Sequence, residues 1–533
     1  MASLRQMRPR SARTASAETG HKGGEVTTFA RQLGERRPGE VAVRDGRKAL
    51  DWTQLDDVLN RVANGLQSLD LGPGRRIAVF AENAVETGLA NLGGLIGGAS
   101  VVPVNFHLTA DEVAYILNDS GARLLFVGPE TAERGVAAAA ASEVISVVGW
   151  CDEPGVTSWD GWLAAQSAEE PRGHLPPRPN LLYTSGTTGR PKGTELPPTM
   201  FAGGDTVTEH IANLAAAPVA EAGTHLVVGP MYHTGPLSGA RSLAAGVPCV
   251  ILGRFDAERT LKAIQDHRIG NTVMVPTHFV RLLALPDDVK ARYDVSSLIR
   301  VAHTGAKCPV DVKRAMIGWW GPVFTDAYGA SEVGTTCAIT SEEWLAHPGS
   351  VGRAMPPFEA MILDDDDNPL PPNTEGRLFF KDATGRGVVY HNDPEKSAAA
   401  HVAPGVFTLG EIAYMDEDGY VYITDRFSDM VVSGGVNIYP AEAEQVLIEH
   451  DAVLDVACIG IPHREMGEEL KALAIPQDPN ATPSGAAVIA WCRERLSHYK
   501  CPRTFDWVDT LGRNTMGKIN KRKLRAPYWE GQG

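Results

Sequence analysis

Apolar and polar positions alternate along this chain with two different periods, and the order of those periods predicts its architecture. From Asp51 to Leu69 (DWTQLDDVLNRVANGLQSL) apolar residues recur at helical spacing behind an acidic start, and RRIAVFAEN, Arg75 to Asn83, follows as a short β-type run. The same succession returns as LTADEVAYILNDSG before ARLLFVG, and as DAERTLKAIQDHRI before TVMVPT. Helix followed by buried strand, repeated, predicts doubly wound parallel α/β sheets covered by helices. From about Pro356 the period shortens: EGRLFFKDATGRGVVY and GEIAYMDEDGYVYITDR read as alternating strands, with DEDG closing a hairpin. After Arg426 the pattern is mixed again, with AEAEQVLIEH helical and VLDVACIGIP a strand. The expected fold class is α/β: a large core of two doubly wound subdomains plus a β subdomain, then a small α+β C-terminal domain. The expected bounds are a disordered tail over 1–24, a core over 25–428 and the C-terminal domain over 429–533.

Composition narrows the function classes. With 50 Lys+Arg against 65 Asp+Glu the formal charge is -15, which argues against a broad nucleic-acid or anionic-membrane surface. An anionic ligand must then be met by local donors. The most apolar stretch, Gly88 to Val104, is too short and too interrupted by glycine and proline to span a bilayer. Arg/Ser-rich residues at the N-terminus lack the apolar segment of a secretory signal. Seven scattered cysteines without a CxxC pair fit reduced thiols, and the expected location is cytoplasmic.

LLYTSGTTGRPKGTELPP, Leu181 to Pro198, is dense in glycine, hydroxyls and lysine. It is not a Walker A loop. Counting from Gly186, Pro191 stands where the second glycine belongs, and Gly193 replaces the hydroxyl residue after Lys192. What remains suits a polyphosphate: flexible Gly186 and Gly189, the hydroxyls of Ser185, Thr187 and Thr188, and one cation.

Read as Tyr-Thr-Ser-Gly-Thr-Thr-Gly-x-Pro-Lys-Gly, the stretch resembles the signature of the adenylate-forming superfamily, which includes acyl-CoA synthetases, firefly-type luciferases and peptide-synthetase adenylation domains. Further matches follow in order over nearly the whole chain: PMYHTG (Pro230 to Gly235), HTGAKCP (His303 to Pro309), DAYGASE (Asp326 to Glu332), GSVGRAMP (Gly349 to Pro356) and FTLGE (Phe407 to Glu411). ITDRFSDMVVSGGVNIYPAEAE, YKCPR and NTMGKINKRKLR complete the set. The texture is similar to that of bacterial ligases of fatty, steroid and terpenoid acids.

The resemblance implies an AMP-forming acid:CoA ligase that uses ATP, Mg²⁺ and coenzyme A. It assigns the nucleotide phosphates to Thr184 through Lys192, with Thr187 and Glu332 toward the metal. Tyr328 would stack on adenine, Asp326 would face its amino group, and Ser331 would touch the α-phosphate. Gly305, Ala306, Lys307, Ala327 and Gly329 would complete the nucleotide walls. Glu411 stands where the family usually has an aspartate gripping the ribose, with Arg426 as its helper; the extra methylene puts that geometry in doubt. Lys518 matches the catalytic lysine of the C-terminal domain, and Asp429 the hinge. Ser433, Gly434 and Gly435 would border the CoA channel, where glycine lets a thin thiol arm pass.

The acyl pocket would involve Tyr232, His233, Gly235, Thr304, Gly305 and Ala330, with Gly239 also leaving room. Lys307 departs from the small apolar residue common in the family; it would meet a polar group of the substrate, perturb the nucleotide or reach solvent. The expected substrate is a hydrophobic carboxylic acid, alicyclic or polycyclic, with CoA as acceptor and a homodimer as the expected assembly. Three other readings stay open: a ligase competent mainly in thioester formation from a supplied adenylate, a carrier-protein loading enzyme, and a non-catalytic nucleotide-binding paralogue.

Overall fold

A computed structural model describes residues 28–184, 191–216, 222–426, 429–512 and 519–530. The helix Trp52–Ser68 opens on a capping box in which Asp51 and Gln54 satisfy each other's backbone amides. Its apolar stripe of Trp52, Leu55, Leu59, Val62 and Leu66 is buried. That face packs against the helix Val85–Ile96, which is buried on every side.

Two parallel sheets form behind these helices. One is five-stranded, in the order Ser100–Val104, Arg76–Phe80, Leu124–Val127, Ser146–Gly149 and Thr157–Ser158. Arg76–Phe80 and Leu124–Val127 read as nearly continuous apolar runs because helices cover both faces. The other is nine-stranded, and its centre is the parallel set Cys249–Ile251, Thr224–Val227, Ile269–Met274, Arg300–His303 and Phe324–Ala330. Antiparallel Gly334–Thr340 and Arg353–Ala354 extend one edge. The loops leaving the carboxyl ends of Thr224–Val227 and Arg300–His303 carry PMYHTG and HTGAKCP, as expected of an open α/β sheet.

An antiparallel six-stranded sheet runs from Phe358–Leu363 to Val421–Arg426. The turn Asp416 to Gly419 joins Glu411–Met415 to Val421–Arg426 as a hairpin and sets Glu411 opposite Arg426 in register. The alternating reading of GRGVVY fails here: residues 387 to 391 form no strand. Val388 is buried, and Tyr390 faces a cavity instead of pairing. The C-terminal part has its own five-stranded sheet, built on the long hairpin Val453–His463 with Gly467–Pro476. Its core of Val431, Leu447, Cys458 and Val488 is separate from the others. All seven cysteines are free thiols, and among the described residues no helix is long and apolar enough to cross a membrane.

Candidate active site

One cavity of about 910 Å³ opens where the nine-stranded sheet, the antiparallel sheet and the C-terminal part meet. Thr184, Tyr232, His233, Gly235, Thr304 and Gly305 line it, as do Ala306, Lys307, Asp326, Ala327, Tyr328 and Gly329. Ala330, Ser331, Glu332, Glu411 and the run Ser433 to Gly435 complete the expected set present on its walls. Ser185, Gly186, Thr187, Thr188, Gly189, Lys518 and the tail over 1–24 lie outside the described residues, and Arg426 is described by its backbone alone.

The strand Phe324–Ala330 carries most of DAYGASE, and its register shifts after Tyr328, where its end meets the cavity. Gly329 permits this, since a β-carbon there would lie 1.9 Å from the Gly334 carbonyl oxygen. The Tyr328 hydroxyl donates to Glu411 Oε2 at 2.8 Å. Asp326 Oδ2 accepts from Lys313 Nζ at 3.1 Å and lies 3.5 Å from His303 Nε2. Lys313 is 1 % exposed and lies over the Trp344 ring, so Asp326 is held from behind by a buried cation. The exposed Lys307 ammonium reaches the Ile423 carbonyl at 3.5 Å.

Glu332 is buried and accepts from Thr184 Oγ1 at 3.3 Å. Burial pushes its carboxyl above the ordinary carboxylate value, against the opposing pull of its own backbone amide, Thr184, Lys396 and Tyr390. The Lys192 ammonium is paired with Asp393 at 2.6 Å, half-buried beside the cavity rather than on its wall. Lys396 lines the wall in its place, above the Tyr390 ring at 4.4 Å. Burial lowers the Lys396 pKa, with Lys192 acting the same way and Glu332 and Asp393 opposing.

His233 stands at the N-cap position of the helix Thr234–Arg241 without a side-chain capping bond, and its Nε2 is enclosed without a hydrogen-bond partner among the described residues. Burial, helped by His107, brings its pKa down to about 4, so the ring is neutral at pH 7. Asn83 holds the preceding loop: its Nδ2 donates to the carbonyls of Gly229 and Leu252, and its Oδ1 accepts from the Met231 amide. A β-carbon on Gly235 would come within 3.1 Å of Val273, so glycine keeps that part of the pocket open. Gly239 does not serve the pocket: a β-carbon there would lie 2.4 Å from the His225 ring, so its absence makes room for that ring in the core.

Across the cavity, Gly434 and Gly435 adopt φ of +61° and +82°. Gly435 lies against Gly305, whose built β-carbon would be 3.5 Å from the Gly435 carbonyl oxygen. The C-terminal loop thus meets the loop after the strand Arg300–His303. Asp429 is exposed and lies 3.5 Å from Lys521.

Sequence reasoning missed Tyr390, Lys396, Asn83 and Lys313. HNDPEKSAAA held a signal for the second of these, because Asp393 followed by Pro394 is a helix-start pattern that places Lys396 in the first turn. Lys313 is an ordinary helical lysine in sequence, and only tertiary contact distinguishes it.

A buried carboxylate with a hydroxyl beside it, an aromatic ring tied to a second carboxylate and two left-handed glycines thus share one cavity. The AMP-binding enzyme model matches residues 29–388 and the AMP-binding enzyme C-terminal domain model residues 442–518, and the chain belongs to this family. It is 34% identical over 528 residues, 94% of this chain and 98% of the relative, to the 3-[(3aS,4S,7aS)-7a-methyl-1,5-dioxo-octahydro-1H-inden-4-yl]propanoyl:CoA ligase of Rhodococcus jostii (strain RHA1). Feruloyl-CoA synthase of Amycolatopsis sp is 33% identical, with 92% of this chain and 96% of that one covered. The amide bond synthetase McbA of Marinactinospora thermotolerans superposes with a TM-score of 0.79 at 26% identity, over 94% of this chain and 99% of that one. The enzyme is an AMP-forming acid:CoA ligase, and ATP, Mg²⁺ and coenzyme A are its cofactors and co-substrates.

Proposed function

We propose that the chain activates a hydrophobic carboxylic acid, alicyclic or polycyclic, in two half-reactions at the single cavity. The carboxylate attacks the α-phosphate of ATP, forming acyl-adenylate and releasing pyrophosphate; the CoA thiol then attacks the acyl carbon and AMP leaves. The observation that carries this reading is the convergence of Tyr328, Ser331, Glu332, His233 and Gly435 on one cavity. Phosphoryl transfer demands positioning and charge neutralisation more than covalent help. Glu332 fits a magnesium ion: it is one buried carboxylate with a hydroxyl beside it, and magnesium completes its shell with phosphate oxygens and water. Bound there, the ion would neutralise phosphate charge.

Lys396 would face the phosphates, and neutral His233 would offer its free Nε2 to the acyl carboxylate. Lys518 remains our assignment for the cation supplied by the C-terminal domain, Asp429 for the hinge and 429–533 for the moving part. Apolar Val228, Val273, Met274 and Phe106 on the acyl side, with the space kept by Gly235, favour a bulky hydrophobic acid. The relatives' bicyclic and aromatic acids support the same size class.

The test measures ATP–pyrophosphate exchange and CoA thioester formation across bicyclic, steroid side-chain, aromatic and straight-chain acids. Exchange and thioester with the bulky acids are expected. Thioester from synthetic adenylate without exchange would replace this reading by a thioester-forming ligase. Transfer to a carrier protein in preference to CoA would make it a loading enzyme, and loss of neither activity in Lys518→Ala would remove the assigned role of that lysine.

A further inference from the structure

The helix Ala110–Ser120 begins with a capping box in which Glu112 Oε2 accepts from the Thr109 amide at 2.8 Å and the Thr109 hydroxyl at 2.9 Å. In a surface helix that would exhaust its role. Here the same carboxylate reaches across to the C-terminal part: Oε1 accepts from Lys500 Nζ at 2.8 Å, and Oε2 also accepts from the Ser497 hydroxyl. Lys500 Nζ donates in addition to Glu442 at 2.6 Å. Lys500 is only 1 % exposed and Glu442 3 %, so this is a buried ionic cluster joining two separately cored parts of the chain. Tyr499, next to Lys500, is on the wall of the cavity.

The division of partners is informative. Glu442 and Lys500 belong to the same C-terminal part and stay together whatever its orientation. Glu112 keeps both Thr109 contacts if the C-terminal part departs. A buried charge stranded without a partner is strongly disfavoured. In this cluster, separation strands none, because each ion retains a local partner. The cross-contact can therefore open and close, unlike an ordinary buried pair.

Resting on the two-half-reaction reading above, we infer that Glu112, Lys500 and Ser497 form a reversible clamp that holds the C-terminal part in the orientation with Gly434 and Gly435 at the cavity, and so position the thioester-forming half-reaction. They are positioning residues. Their contact is made with the glycine channel in place, 2.8 Å at Lys500 and by Gly435 against Gly305. Adenylation, which relies on Lys518 from the same part, does not require the clamp.

The decisive variant is Glu112→Gln, because glutamine serves a capping box as glutamate does while the charge that meets Lys500 is removed. ATP–pyrophosphate exchange and thioester formation from synthetic acyl-adenylate are measured separately on the full chain. The expected result is exchange within about twofold of wild type and thioester formation reduced by about tenfold or more, a difference on the order of 1.4 kcal/mol. Ser497→Ala, approached from the other side, should shift the same ratio in the same direction by a smaller factor, and Glu112→Asp should recover part of it. Parallel loss of both half-reactions in the two variants, or an unchanged ratio, overturns the clamp. A wild-type protein that performs neither half-reaction overturns the functional reading and the clamp together, whereas an active wild type with an unchanged ratio overturns the clamp alone.

Discussion

The Tyr328 hydroxyl and the Glu411 carboxylate are joined by a 2.8 Å hydrogen bond across the join between the nine-stranded and antiparallel sheets. The Glu411 side chain reaches from the antiparallel sheet to the ring hydroxyl. Glu411 is buried.

Tyr328→Phe removes that donor while keeping the ring. A hydrogen bond to a charged group is worth about 1.5–3 kcal/mol. The expected outcome is a rise in KM for ATP of about tenfold or more, with a smaller change in kcat, read from initial rates of exchange. A variant with wild-type KM would mean that this hydrogen bond does not position the nucleotide.

Glu332→Gln should reduce ATP–pyrophosphate exchange by at least about 100-fold at any magnesium concentration, while thioester formation from supplied adenylate falls far less. The pH dependence has a definite sign. Burial raises the Glu332 pKa, so the unliganded site is protonated at higher pH than an ordinary carboxylate and loses magnesium affinity as the medium is acidified. Lys396 opposes this rise, and Lys396→Met should therefore move the acid limb of the exchange profile to higher pH.

His303 is fully buried, and burial lowers its pKa from 6.5 to about 4 with Lys313 assisting and Asp326 opposing. The unfolded chain binds a proton between those values and the folded chain does not. Its contribution to stability is thus present above about pH 6.5 and lost as the pH falls toward 4. Between pH 7 and 5 the loss from this ring is about 2 kcal/mol. Denaturant unfolding at the two values checks it, and His303→Asn should flatten the dependence.

Asn83→Ala leaves the Met231 amide and the Gly229 and Leu252 carbonyls without their side-chain partner in a buried site. Destabilisation of about 2–4 kcal/mol is expected. Because the loop carries His233, KM for the acid should rise more than KM for ATP. Equal changes in both would mean that the asparagine only stabilises the fold.

Much of the fold is legible in the sequence alone. The capping box at Asp51, the helical stripe from Trp52 to Leu66 and the apolar runs at Arg76–Phe80 and Leu124–Val127 are local patterns, and local patterns follow from residue type and spacing. GRGVVY was misread because alternation alone cannot tell a paired strand from a segment that buries Val388 and turns Tyr390 toward Glu332. Gly239 was misread for a related reason: a missing side chain looks the same beside a ligand pocket as beside His225.

The candidate site divides along the same line. Chain order and motif chemistry were enough to group Tyr328, Glu332, His233 and the glycines at 434 and 435, which line one cavity: the His233 loop follows a strand of the open α/β sheet, Tyr328 and Glu332 stand at the end of another, and the two glycines reach it from a hairpin turn of the C-terminal part. Tertiary packing alone set Lys192 against Asp393, put Lys396 on the cavity wall and buried Lys313 behind Asp326. It also brought Glu112 to Lys500, 388 residues away. Residue type records what a side chain can bond, but the strength and direction of an ionic contact depend on distance and on exclusion of water, and both arise only when distant segments close around it.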